Sequence, residues 1–154
     1  MKKNERISAL VAQLGVVADL ALDPRYQGYF TCFNEQHYYE AHDVLENLWL
    51  QTKGGDFLFF KGLIQVAGAF VHLQKNFLHP GHPKHGRRLR PAVRLFHLAI
   101  ANLEPFAPSH LHLDVAQLCQ LCRRLAAEVT ASDFQRNPWQ PAHAPQLRLE
   151  SAPS

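Results

Sequence analysis

The stretch FLFFKGLIQVAGAFVHLQKNF, residues 57–77, carries apolar side chains on almost every side of a helix. A surface helix shows one apolar stripe, whereas a helix apolar nearly all round is one that neighbours enclose. The segment therefore predicts a central helix in an all-α bundle, and the rest of the chain must supply its cover. Its few polar residues are ordered. Lys61, Gln65, Gly68, His72 and Asn76 recur at spacings of four, three, four and four, one narrow line along the helix. Gly68 in the middle of that line lets a neighbouring backbone or a ligand come close. Enclosure would bury Gln65 and His72, and buried polar groups need partners.

Working outward, Asp56 can cap this helix, and Gly54-Gly55 before it permit the left-handed turn that ends a preceding one. That preceding helix is predicted to begin at Asn34, as a cap ahead of Glu35-Gln36-His37, and to run through EAHDVLENLW, residues 40–49. Further upstream, Ile7, Leu10, Val11, Leu14, Val17 and Ala18 form the apolar face of a first helix expected to end near Asp23-Pro24. Downstream, LHPGHPKHGRRLRP reads as a loop, and Pro91 fits the first turn of a helix that continues to Pro105. Asp114 caps a last helix, with Val115, Leu118, Leu121 or Cys122, and Leu125 facing inward. From Pro138 the proline-rich tail is expected to be extended, with Trp139 as its docking anchor. Strand signals are nearly absent. The expectation is a single compact all-α bundle of about five helices over residues 1–137, with a tail over 138–154.

A chain of 154 residues can bury a real core as one domain, and its formal charge of +3 creates no global field that demands nucleic acid or an anionic membrane. No run reaches the roughly 18 to 20 uninterrupted apolar residues of a spanning helix. The opening MKK followed by ISALVAQLGVVA imitates a signal peptide only loosely, because Glu5 and Gln13 interrupt it and no A-x-A site follows. Three cysteines (Cys32, Cys119, Cys122) are too few for a disulfide framework, so a reducing cytoplasm is expected. A helix as apolar as residues 57–77 could also be covered by a second copy, making a homodimer an expectation.

Within residues 40–49 an advance of about 100° per residue puts His42, Glu46 and Trp49 together at the edge of the apolar face. Glu40, Asp43 and Asn47 fall on the opposite, solvated side. If this helix packs antiparallel on the central one, His42 and Glu46 are expected to look across at Gln65 and His72.

Phe33-Asn34, Tyr38, EAHDVLENLW and FKGLIQVAGAFVHLQKN resemble the DUF309 family of small helical proteins whose biochemical role is undefined. The matching positions are Glu40, Ala41, His42, Leu45, Glu46, Trp49, Gly62, Leu63, Ile64, Gln65, Ala67, Ala69 and His72, with Asp43 standing where that family usually has Glu. The resemblance covers about residues 33–106. It implies a multi-helical bundle with a central buried helix, similar to the fold class grouped with hyaluronidase post-catalytic domains, and it implies no reaction.

The chemistry is open between two readings. One is a non-enzymatic module that binds a protein or small molecule through a polar groove formed by His42, Glu46, Trp49, Gln65, His72 and Asn76. The other is a metal-dependent, hydrolase-like enzyme with His42, Glu46 and His72 holding a divalent ion. HDVLE lacks the second histidine of the H-E-x-x-H zinc motif, and no serine or cysteine nucleophile lies in either motif, so no cofactor is predicted and catalysis is the lesser reading. Cys119 and Cys122 make a C-x-x-C, but among leucines, where burial opposes the thiolate. His79, His82 and His85 with Arg87, Arg88 and Arg90 read first as a solvated basic loop and second as a minor phosphate or RNA contact.

Overall fold

The computed structural model describes residues 5–7, 9, 21–84 and 87–150. Most of the first predicted helix, from Leu10 to Ala18, lies outside the described residues. Ile7, which is described, is helical and 3% exposed.

Asp23-Pro24, expected to close a helix, opens one. The Asp23 carboxylate accepts the Arg25 N–H at 2.8 Å, and Pro24 occupies the first turn of α1 (Pro24–Asn34), where no N–H is missed. This helix buries Tyr26, Tyr29, Phe30 and Phe33. Asn34 is its last residue and not the cap of the next helix. Its side-chain amide instead donates to the Leu147 carbonyl (2.8 Å) and accepts the Leu147 N–H (2.7 Å). Gln36 takes a left-handed turn (φ 65°) into α2 (Tyr38–Leu50), whose cap position is His37. Gly54, at φ 99°, makes the left-handed step expected of the Gly-Gly link.

The central helix is α3 (Phe57–Leu78), packed between α2 and α4 (Leu89–Leu103). By length and apolarity alone α3 could cross a membrane. Here Phe59, Leu63, Val66, Ala67, Ala69, Phe70 and Leu73 are fully buried, so it is the inner helix of the bundle that its composition predicts. Pro91 sits in the first turn of α4 as expected. A 3-10 turn (Glu104–Phe106) and a two-residue antiparallel ladder, Ser109–His110 with Leu113–Asp114, lead into α5 (Val115–Ala131). Asp114 caps α5 by accepting the Gln117 N–H at 2.9 Å. The described architecture is a compact, mostly helical bundle with five α-helices of described bounds, each packing on the next in chain order.

Beyond α5 the chain runs back over the bundle. Asn137 donates to the Leu73 carbonyl (2.8 Å) and to Asn76 Oδ1 (3.0 Å). Trp139 is 4% exposed, and its Nε1–H donates to the Tyr38 hydroxyl at 3.0 Å. The tail is therefore part of the core's cover, with Trp139 as its anchor.

Candidate functional site

On α2, His42 lies between two acids of its own helix. Its Nδ1 is 3.2 Å from Asp43 Oδ1, and its Nε2 is 3.9 Å from Glu46 Oε2. Asp43 was expected on the wet side, and it is 8% exposed. Arg6, from the N-terminal part of the chain, reaches across to Asp43 Oδ2 at 3.4 Å. Glu40 is exposed, and Asn47 is half-buried, accepting from Arg25 at 2.8 Å. Trp49 packs its ring 5.1 Å from Phe57, and among the described residues its buried Nε1 has no acceptor.

The polar line of α3 turns away from α2. Gln65 Oε1 accepts from Asn102 of α4 (2.8 Å), and His72 Nδ1 accepts from the Arg88 guanidinium (3.0 Å). Gly68, between them, faces Leu95 of α4, and Asn76 meets Asn137 of the tail. The side of α3 that meets α1 and α2 is aromatic and aliphatic: the Tyr38 ring packs 5.2 Å from that of Phe70, tilted by 33°, and the Tyr29 hydroxyl donates to the Leu63 carbonyl. The expected groove joining His42 and Glu46 to Gln65 and His72 is thus not what these side chains build. Bulky rings hold the α2 side of α3, and the small and polar residues pair with α4. The alternative metal set fails for the same reason. Among the described residues no three His, Cys, Asp or Glu side chains stand close enough to hold an ion, and His72 lies against a guanidinium whose charge would repel one.

The neighbourhood of His72 is where charge collects. Burial, then Arg88, Lys75 and Arg94, push its pKa down to about 4. It is neutral near pH 7, which suits an Nδ1 that accepts from Arg88. Lys75 is also lowered, by burial and then by Arg88 and Lys84. Arg90 carries its Cζ 4.0 Å from the centre of the Phe134 ring. Two adjoining clefts open here, one of about 390 Å³ lined by Arg90, Val93, Arg94, His97, Leu98 and Phe134. The other, about 360 Å³, is lined by Arg87, Leu89, Arg90, Asp133, Phe134 and Gln135. Among the described residues none of Lys75, Lys84, Arg87, Arg90 and Arg94 forms a salt bridge with a carboxylate.

In sequence, Arg87, Arg88 and Arg90 read first as a solvated loop and only second as a minor phosphate or RNA contact. The overlooked signal was an absence: from Phe57 to Leu103 the chain has no Asp or Glu, so the cations of that stretch have no acid within it. In the loop itself His82 Nδ1 accepts the Lys84 N–H at 3.0 Å, and His85 lies outside the described residues. Another cleft, about 460 Å³, lies between α5 and the tail, but its cations are engaged, Arg124 with Glu128 and Arg148 with Gln146. Cys119 and Cys122 are buried, and burial raises both thiols, as expected of core residues.

His72 also makes a stability prediction. Because its pKa is lower folded than unfolded, the unfolded chain takes up the proton first, and stability falls as pH drops from about 6.5 towards 4. Full conversion of that shift would overstate the effect at a half-buried, screened site, so about 1 kcal/mol is expected from this residue. Urea denaturation of wild type and His72→Gln at pH 7.0 and 4.5 measures it. The difference between the two proteins should shrink at the lower pH, and a constant difference would refute the assignment.

The family model of DUF309, described as a domain of unknown function, matches residues 26–80. That span takes in most of α1, of which the motif resemblance held only Phe33-Asn34, and stops before α4, short of the residue 106 that the resemblance reached. It contains His42, Glu46, Trp49, Gln65, His72 and Asn76, while Arg87, Arg90, Arg94, His97 and Phe134 lie beyond it. No curated protein and no solved structure matches the chain.

Proposed function

We propose that the protein, whose residues 26–80 match the DUF309 family model, is a non-catalytic binding module that takes up a phosphate-bearing small molecule at the basic end of α3 and α4. The observation that carries this is the set of unpaired cations around the two clefts. Arg87, Arg90 and Arg94 line them with Asp133 as the one lining acid, Lys75 and Lys84 lie near enough to shift a neighbour's pKa, and residues 57–103 contain no Asp or Glu. Cations that outnumber their counter-charges repel one another, and an anion bound among them relieves that repulsion. Arginine forks suit phosphate geometry in particular, because they offer paired N–H donors to its oxygens. Burial is the main cause of the depressed His72 pKa, and Arg88, Lys75 and Arg94 add to it.

A catalytic reading has less support. His42 has Asp43 and Glu46 beside it, but no nucleophile lies within those motifs, and among the described residues no three His, Cys, Asp or Glu side chains are placed to hold an ion.

Calorimetric titration of the full chain with inorganic pyrophosphate, without added metal, tests the proposal. Binding is expected in the micromolar to millimolar range, weakening as salt is raised. Arg90→Ala/Arg94→Ala, which removes two exposed side chains, should weaken it by at least tenfold with little change in melting temperature. Absence of binding at 10 mM ligand, or equal binding by the double variant, would overturn it.

A further inference from the structure

Resting on that anion-binding reading, we propose that the phosphate-bearing ligand is a nucleotide, its base stacked on the Arg90–Phe134 pair. Three observations point to a planar body as well as a phosphate. The two clefts share only Arg90 and Phe134, so this stacked pair is the partition between them. They also differ in chemistry. The cleft with Arg94 and His97 has no acid in its lining, which suits the phosphate end. The other adds Asp133 and Gln135 to Arg87, a set of acceptors and donors that repels phosphate at Asp133 but can bond ribose hydroxyls and the polar edge of a base.

The third observation is the backbone that carries the ring. Past the end of α5, Asp133 and Phe134 both adopt left-handed conformations, φ 56° and 60°. One such residue is a common way to close a helix, and here the Asp133 and Phe134 N–H groups do bond back to Thr130 and Val129. Glycine or asparagine is usual there, and a bulky residue in this region is strained by roughly 1–2 kcal/mol. Helix closure explains the turn but not a phenylalanine in it. The ring's visible effect is to hold the Arg90 guanidinium over its face. A guanidinium fixed on an aromatic ring presents its outer face to a base, a stack that tolerates any base because each has a π-face.

The test compares inorganic pyrophosphate with ADP and GDP on the full chain, using wild type and Phe134→Gly. Glycine accepts a positive φ without strain, so this variant removes the ring while leaving the turn at least as stable. Wild type should bind both nucleotides at least tenfold more tightly than pyrophosphate, and Phe134→Gly should lose that advantage while keeping its pyrophosphate affinity. Equal affinity of wild type for all three ligands overturns the nucleotide inference and leaves anion binding standing. A nucleotide preference that survives in Phe134→Gly also overturns it, because the stacked pair then plays no part. If wild type binds none of the three, both this inference and the anion-binding reading fail.

Discussion

Trp139→Ala is expected to destabilise the fold by about 3–5 kcal/mol, the range for emptying a large buried aromatic site. The indole is 4% exposed, stands edge-on to Tyr38 and to Phe77, and donates to the Tyr38 hydroxyl at 3.0 Å. Its loss removes packing from two helices and leaves a buried hydroxyl without its donor, a cost of about 1 kcal/mol or more in itself. The neighbouring anchors Asn137 and Leu147 would then have to hold the tail alone. Trp139→Phe separates the contributions, since it keeps most of the ring and loses the hydrogen bond, and about 1–2 kcal/mol is expected. Urea denaturation measures both. A cost below about 1 kcal/mol for Trp139→Ala would mean that the tail is not docked as described.

Two glycines of α3 should respond to the same substitution with opposite signs. A Cβ on Gly62 would lie 2.7 Å from Leu103 Cγ and 3.3 Å from Asn102 Cβ, and Leu103 is fully buried and has nowhere to move. Replacing a mid-helix glycine by alanine gains about 1 kcal/mol in helix propensity. Overpacking here costs more, so Gly62→Ala should lose about 1–2 kcal/mol net, and Gly62→Val, larger and β-branched, about 3 kcal/mol or more. On Gly68 the added carbon meets only Leu95 Cδ1 at 3.1 Å, the free end of a half-buried, rotatable side chain. Gly68→Ala should therefore be neutral or stabilise by up to about 1 kcal/mol. Thermal or urea melts of the three variants decide it, and destabilisation by Gly68→Ala equal to that of Gly62→Ala would contradict the packing of α3 on α4.

The bundle was legible because periodicity reports which residues are apolar on each helix, and α3 is apolar on nearly all sides. Asp114 and Pro91 were readable for local reasons, as each acts within one turn of its own position. What could not be read was partnership. A helical wheel orders faces around one axis but does not say which neighbour each face meets. With α3 packed on both sides, Gln65 and His72 were as compatible with α4 as with α2, and the rings of Tyr38, Phe70 and Trp49 decided the matter. Asp43 shows the same limit, because Arg6, which reaches across to it, is remote in sequence. Asp23-Pro24 shows a different one: proline in a first turn and proline after a last turn look alike until the preceding residue's side chain is seen to cap. The basic clefts were missed because Phe134 comes from the far end of α5, and nothing in its immediate sequence announces Arg90.

The tail has a consequence for how the protein is made. The bonds from Asn34 to Leu147 and from Trp139 to Tyr38 span 113 and 101 positions, whereas the helices pack on their neighbours in chain order. During synthesis, at about 5–20 residues per second, α1 to α3 can assemble as they emerge. Tyr38, fully buried in the finished molecule, must then wait several seconds for Trp139. For that interval the nascent bundle shows the solvent an aromatic ring that the finished molecule hides. A chain that has emerged from the ribosome only as far as α5 would hold α1 to α5 with Tyr38 still uncovered, the state in which a chaperone or a second nascent chain has its best access.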